Sequence, residues 1–325
     1  MNRSNEYLET HMDIDPLPIR LTRSFLDIPE THEEPLASIL DALRLERIGS
    51  HLYRGINMPQ VLGRVYGGQV FAQATMAAAD TIEEDDPDTR LAHSITAAFL
   101  RPGDPHLPLL LKIEDLNDGH SFSTRNVSVF QHDLQLFHAR VSFQLHQPGP
   151  TFAQPMPDAP DPESLPSLVE LFTTMGSSMG TYWADMMRTN AIEMRYVDES
   201  IYLHPAKKRE PHTRVWFRTR TPMPKNSSKT LQRALLGYAA DQFMLDPIMR
   251  ALGIYWTSPK IAVATLDHSI WWHRNFDISN WIYADLRGQS AQNGRGLVIA
   301  EFFQDGRLIA TMSQEGMVRA RPSSK

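Results

Sequence analysis

Two parts of this chain run through one pattern twice. The first holds "VYGGQVFAQATMAAADTI", a Gly-Gly lead-in to a helix, then "LAHSITAAFLRPGD". After it comes "LPLLLKIEDLNDGHSFSTRNVSVFQHDLQLFHARVSFQL", which alternates and is broken at Asn117-Asp118-Gly119 and Gln131-His132-Asp133. That pattern predicts a three-strand antiparallel meander with tight turns. The second part holds the helix "LQRALLGYAADQFML", then "IAVATLDHSIWWHRNFD". Another meander follows, with turns at Gln292-Asn293-Gly294 and Gln304-Asp305-Gly306. His93-Ser94 corresponds to His268-Ser269 and Phe143-Gln144 to Ser313-Gln314, so the offset drifts from 175 to 170. A repeat this long implies duplication of one α+β unit: an N-terminal strand, one long helix, and a sheet wrapped on it. No β-α-β-α alternation, no P-loop and no dinucleotide fingerprint occurs, so Rossmann and TIM architectures are not expected.

The remaining segments punctuate this repeat. Residues 1–35 are polar, acidic and Pro-containing, and are expected to form an extended arm. Residues 147–166, QPGPTFAQPMPDAPDPESLP, carry seven prolines in twenty. Such a run fits neither helix nor central sheet and reads as a semi-rigid linker. The expected organisation is therefore an arm (1–35), a first unit (36–146), the linker (147–166) and a second unit (167–319). The second unit carries an insertion from Ser167 to about Asn190, helical and rich in methionine (Met175, Met179, Met186, Met187). It has no counterpart in the first unit and reads as an insertion or lid.

Bulk properties exclude several functions. A net charge of −6 argues against nucleic acid or an anionic membrane as the main partner. The absence of cysteine removes disulfides, thiolate metal sites and a cysteine nucleophile, and leans towards a reducing compartment. No apolar run reaches transmembrane length, and the N-terminus has no secretory h-region. Ser323-Ser324-Lys325 stops short of an S-K-L peroxisomal address. Arg44–Leu52 resembles an N-terminal peroxisomal signal, but Leu43, Leu45, Ile48 and Leu52 suit a packed segment better. The cytoplasm is the expected compartment, with the peroxisome as the alternative.

Three places carry candidate chemistry. Gly176-Ser177-Ser178-Met179-Gly180 fits G-x-S-x-G, the nucleophile elbow of α/β-hydrolases. Its context is helical with no parallel sheet, so a helix break is expected. His268 and His273 suggest metal or acid/base roles, but five residues apart they face opposite sides of a strand. The plain reading is a strand-end histidine satisfied by the backbone. Asp241 lies on an apolar helical stripe, sharing a face with Ala234, Gly237, Tyr238 and Leu245. A carboxylate there is costly unless paired, hydrogen-bonded or protonated. It either faces solvent near the turn at Asp246-Pro247, or is a general base held in a dry site.

The blocks Val65–Val70, His93-Ser94 with Phe99–Gly103, Asp118–Phe122, Gly237–Asp241, Thr265–Ser269 with Trp272-His273, and Gln314–Gly316 resemble the acyl-CoA thioesterase II (TesB-like) family. The resemblance covers roughly Leu36 to Arg319. It implies an α+β tandem double hotdog, in which each half is an antiparallel sheet wrapped on a central helix and the active site lies between halves. It also implies hydrolysis of fatty acyl-CoA to free acid and CoA, with no cofactor and no metal. The family's water-holding aspartate, serine or threonine, and glutamine fall on Asp241, Thr265 and Gln314. Gly67, Gly68 and Gln69, at the first helix, are the candidate substrate-binding group: backbone donors for a developing oxyanion, or glycines that only permit tight helix–sheet packing. The Met-rich insertion is a candidate wall for the acyl chain. A homo-oligomer is expected, because sheet edges invite self-association. The rivals are a hotdog hydratase or dehydratase, a serine hydrolase using Ser178, and a non-catalytic acyl-CoA binding protein.

Overall fold

A computed structural model describes residues 35–58, 63–82, 89–258 and 261–320. The expected arm, apart from its last residue, and the C-terminal tripeptide lie outside the described residues. The chain orders as α1 (Pro35–Ala42), β1 (Glu46–Gly49), β2 (Leu52–Gly55), α2 (Gly67–Ala79), β3 (Arg90–Phe99), β4 (Leu109–Asp118), β5 (Phe122–Gln131) and β6 (Leu134–Leu145). The insertion supplies α3 (Leu168–Thr174) and α4 (Ser178–Arg188). The second part continues with β7 (Ile192–Tyr196), β8 (His212–Thr219), α5 (Lys229–Ala240), α6 (Asp246–Leu252), β9 (Ile261–Trp272), β10 (Ile282–Gln292), β11 (Arg295–Gln304) and β12 (Arg307–Ala320).

Among the described residues, twelve strands form one antiparallel sheet, ordered β1-β2-β4-β5-β6-β3-β9-β12-β11-β10-β8-β7. Read from either end the order is the same once each strand is matched with its repeat. This is a double hotdog, with the halves joined edge to edge at β3 and β9. Ile95 pairs with Ile270 at that junction. The unpaired His93 of β3 matches the unpaired Leu266 of β9, an offset of 173, so Thr96 and Ser269, which also pair here, are repeat equivalents and the local two-fold axis passes between them. Both meanders form as expected. Two of their turns use positive-φ pairs, Asn293-Gly294 and Asp305-Gly306, which suit the twist of a tight hairpin.

Two expectations need correction. Two strands, rather than one, precede the long helix in each half. The sequence alignment is also shifted, by two residues at His93-Ser94 and by three at Phe143-Gln144. The bulge at His93 in β3 matches that at Leu266 in β9, and the register shift at Val129/Phe130 matches that at Phe302/Phe303. His93 is therefore the equivalent of Leu266, Ser313 that of Arg140, and Gln314 that of Val141.

The helices α2 and α5 pack against each other, in closer contact than helix–sheet packing alone requires. A Cβ added at Gly68 would lie 2.8 Å from the Tyr238 carbonyl oxygen, and one at Gly237 would lie 2.6 Å from the Phe71 ring. The Tyr66 hydroxyl donates to the Tyr238 carbonyl at 2.8 Å, tying the two helices together. α2 is buried on nearly every side, which explains its run of small residues, with Ala72, Ala74, Ala77 and Ala78 fully enclosed. The Pro-rich segment runs over the sheet of the second half. Ala153, Met156 and Ala159 pack on Tyr283, Phe303 and Leu308, and the Trp216 indole donates to the Pro160 carbonyl at 3.0 Å.

Candidate active site

Asp241 does not sit inside a helix. α5 ends at Ala240, Asp241 is its C-cap, and a turn leads to α6. The helical face shared with Leu245 is therefore not formed. Leu245 instead packs onto β12 at Gly316, where an added Cβ would lie 2.4 Å from its Cδ1. That seat holds the turn that aims the Asp241 carboxylate inward.

Thr265 reaches the same place through a fault in the sheet. On β9, His268, Ile270 and Trp272 face the core, while Asp267 and Trp271 are exposed. Simple alternation would turn Thr265 outwards. The register, however, runs from Glu315↔Asp267 to Gly316↔Thr265 and leaves Leu266 unpaired. This bulge brings Thr265 to the inner face, a recurrent device beside active sites. Gln314 lies on the inner face of β12 and is 1 % exposed.

The three side chains close on one another. The Thr265 hydroxyl donates to Asp241 Oδ1 at 3.1 Å. Gln314 Nε2 donates to the same oxygen at 3.1 Å and to Thr265 Oγ1 at 2.9 Å. The other oxygen, Oδ2, faces the start of α2, where a Cβ on Gly67 would lie 3.0 Å from it. Among the described residues no side chain caps α2, so its first amides face the site. The Gly68 N–H donates to the Asp241 carboxylate. Asp241 lies deep in the protein yet keeps accessible surface. Burial pushes its carboxyl above the ordinary carboxylate range, and Thr265, Gly68, Gln314 and the nearby Arg64 guanidinium pull it back.

Gln69 differs from its expected role. Its amide oxygen accepts from the Met58 N–H at 2.9 Å, and its Nε2 donates to Asn57 Oδ1 at 2.8 Å. Its backbone N–H bonds the Tyr66 carbonyl at 3.1 Å. Gln69 thus anchors the segment before α2 and has no free donor for a substrate. Gly68 serves both helix packing and the carboxylate. Gly67 alone keeps an amide at the first helical position, where no intrahelical acceptor exists.

Several neighbours were not singled out from sequence. Arg64 donates to the Val263 carbonyl at 2.8 Å, bridging the halves beside the site. Tyr66 and Tyr238 meet edge to face at 5.2 Å, and the Phe99 ring lies against Gly67. Tyr66, Phe99 and Tyr238 stand within the quoted blocks, and Arg64 immediately precedes one, so position along the chain was the available signal. The insertion also touches the site region: the Asn190 amide donates to Gln242 Oε1 at 2.7 Å, one residue past Asp241.

The other candidates lie elsewhere. Ser178 is the exposed first residue of α4, and Ser177 caps that helix by accepting from the Gly180 N–H. The G-x-S-x-G run is a helix start following a break at Gly176. His273 bonds Thr311 Oγ1 at 2.9 Å on the surface. His268 is neither at a strand end nor satisfied: it is mid-strand, fully buried, and neither ring nitrogen has a hydrogen-bond partner among the described residues. Among the described residues, no group of three His, Asp or Glu side chains is placed to hold a metal ion, and no helix is long and apolar enough to cross a membrane.

The fold is a double hotdog with Asp241, Thr265 and Gln314 clustered where its halves meet, and comparison with known proteins gives the class, the acyl-CoA thioesterases. The acyl-CoA thioesterase family matches residues 189–317, and the acyl-CoA thioesterase N-terminal domain matches residues 57–144. Acyl-CoA thioesterase 2 of Haemophilus influenzae is 32 % identical over 289 residues, covering 87 % of this chain and 98 % of its own. Human acyl-coenzyme A thioesterase 8 is 32 % identical over 293 residues, covering 87 % and 89 %. The crystal structure of acyl-CoA thioesterase II TesB2 from Mycobacterium marinum superposes with a TM-score of 0.70 at 31 % identity, covering 88 % of this chain and 100 % of that one. The chain belongs to the acyl-CoA thioesterase II family.

Proposed function

We propose that the chain hydrolyses fatty acyl-CoA to free fatty acid and CoA by attack of a water molecule that Asp241 activates. The observation carrying this reading is the convergence of Thr265 and Gln314 on one oxygen of Asp241. Their two hydrogen bonds fix the carboxylate plane and leave Oδ2 directed at the α2 N-terminus. Asp241 takes a proton from water as the water oxygen bonds to the thioester carbon. The tetrahedral intermediate then expels the CoA thiolate, which receives the proton from Asp241. A single carboxylate binds water in many orientations; Thr265 and Gln314 narrow them so that a lone pair faces the carbon. The Gly67 N–H is the donor best placed for the developing oxyanion. Burial aids the base by raising its basicity, and the surrounding donors oppose that rise.

The hydratase reading finds no support in this arrangement, since no histidine is paired with a carboxylate on α5. The test is to offer the protein saturated and trans-2-enoyl acyl-CoAs. Free thiol from both is the expected result. Loss of the enoyl chromophore without thiol release would overturn the proposal, and tight binding with no turnover would favour a carrier. We place the enzyme in the cytoplasm, with the peroxisome as the alternative; microscopy of the tagged protein separates them. We infer a homo-oligomer, supported by exposed Trp271, Leu297 and Ile299 on β9 and β11, and light scattering on the eluting peak tests it.

A further inference from the structure

Two residues that face each other across β9 and β12 carry buried polar atoms with no partner. His268 and Gln314 are Cα partners in the register. Both point to the inner face, at 0 % and 1 % exposure. Neither ring nitrogen of His268 has a hydrogen-bond partner among the described residues, nor does Gln314 Oε1. On its other side His268 faces Ala97 of β3, which offers no polar side chain. Its ring stacks on Phe71 of α2, with centroids 4.6 Å apart and planes 27° apart. Phe71 in turn packs against Gly237 of α5, four residues before Asp241.

We propose that His268 is a positioning residue for the reaction: its ring N–H serves the Gln314 amide oxygen and fixes which end of that amide faces Asp241. The inference rests on the reading of Asp241, Thr265 and Gln314 as the catalytic cluster. The Gln314 amide has two orientations related by a half turn. One presents Nε2 to Asp241 and Thr265, as observed. The other sets an amide oxygen against a carboxylate oxygen and removes both donations. A donor on the far side of the amide is what distinguishes them, and His268 is the neighbour in register able to supply one. Burial pushes the imidazole down to about 3, so it is neutral at every working pH and always offers one N–H and one acceptor nitrogen. Cross-strand partners have Cβ atoms about 4.5–5.5 Å apart, within reach of a hydrogen bond closed by a small ring shift or through one shared water. The stack on Phe71 holds the ring plane while leaving its edge free for this contact.

The experiment is a double-mutant cycle on the full chain, with initial rates of thiol release. His268→Phe keeps a flat ring against Phe71 and removes the N–H. It is expected to lower kcat about tenfold or more, with KM within about twofold. His268→Gln restores a donor and should recover much of the loss. In a Gln314→Ala background, His268→Phe should cost nothing further, because coupled residues are non-additive. Retained kcat in His268→Phe, or losses that multiply in the double variant, would overturn the inference. If His268→Phe does not fold, ¹⁵N spectra of the histidine rings replace it. A ring N–H resonance of His268 that shifts in Gln314→Ala supports the contact, and an unmoved one sinks it. The two readings fail separately: full activity in Gln314→Ala removes the catalytic cluster itself, whereas an impaired Gln314→Ala beside a fully active His268→Phe removes only the role of His268.

Discussion

Gly67→Ala is a single methyl that should slow the enzyme without disturbing its fold. The added Cβ would stand 3.0 Å from Asp241 Oδ2 and 3.1 Å from Phe99 Cε1. Carbon and oxygen not bonded to each other rest about 3.5 Å apart or somewhat less, so the carboxylate must retreat by several tenths of an ångström. Its retreat is opposed by Thr265 and Gln314 on Oδ1. Reacting groups misplaced by about 1 Å lose on the order of 10²-fold in rate, so a smaller shift predicts roughly a tenfold loss. The methyl also occupies the space from which water approaches Oδ2, which deepens that loss. Stability should change little, because alanine is a better helix residue than glycine by up to about 1 kcal/mol and offsets the local crowding. The assay pairs initial rates of thiol release with a thermal melt. A variant of unchanged Tm and unchanged kcat would refute the placement of the reacting water between Oδ2 and α2.

Asp246 is fully buried, accepts from the Tyr196 hydroxyl at 2.8 Å and the Trp256 indole at 2.7 Å, and is raised by burial to about 7. A raised carboxyl binds its proton more tightly when folded, so its contribution is complete below 3.8 and is lost as pH climbs to about 7. Melts should therefore show Tm falling over that window, and Asp246→Asn should flatten the fall; an unaltered slope would exclude Asp246 as its source. Thr265→Val removes a donor that holds Asp241 down, so the acid limb of kcat/KM should move to higher pH as kcat drops. Met179→Ala, in α4 of the insertion, should change preference among acyl chain lengths; an unchanged profile removes that helix from the acyl wall.

Much of this architecture is legible in the sequence because a period of two is a strong signal. The meanders, their Asn-Gly and Asp-Gly turns and the duplicated order all follow from it. Asp241 stood out for the cost of a carboxylate on an apolar stripe, and the helix that it caps did form. The misses share one cause, namely tertiary events that leave no local mark. α5 ends at Ala240 and the turn that follows seats Leu245 on Gly316, yet no glycine or proline announces the stop before Pro247. The bulge at Leu266 turns Thr265 inwards although alternation from His268 points it out. The strands of the two halves keep one offset of 173, bulges included, so Gln314 answers Val141; the drift in the sequence alignment comes from matching like residues, His93-Ser94 with His268-Ser269. Gln69 looked available at a helix start, yet its amide is consumed by Met58 and Asn57, residues that sequence alone gave no reason to place beside it. Arg64 and Val263 are 199 residues apart, and only the junction of the halves brings them together.

The most direct test of the account is the turnover of Asp241→Asn beside the wild type on one acyl-CoA, with a melt of each. The substitution keeps the shape of the side chain and removes its basicity. A general base supplies ~10²–10⁴ in rate, so the variant should lose roughly 3–5 kcal/mol of barrier lowering while melting as a folded protein. A folded variant that releases thiol at the wild-type rate would contradict it, and the hydrolytic water would then have to be activated elsewhere.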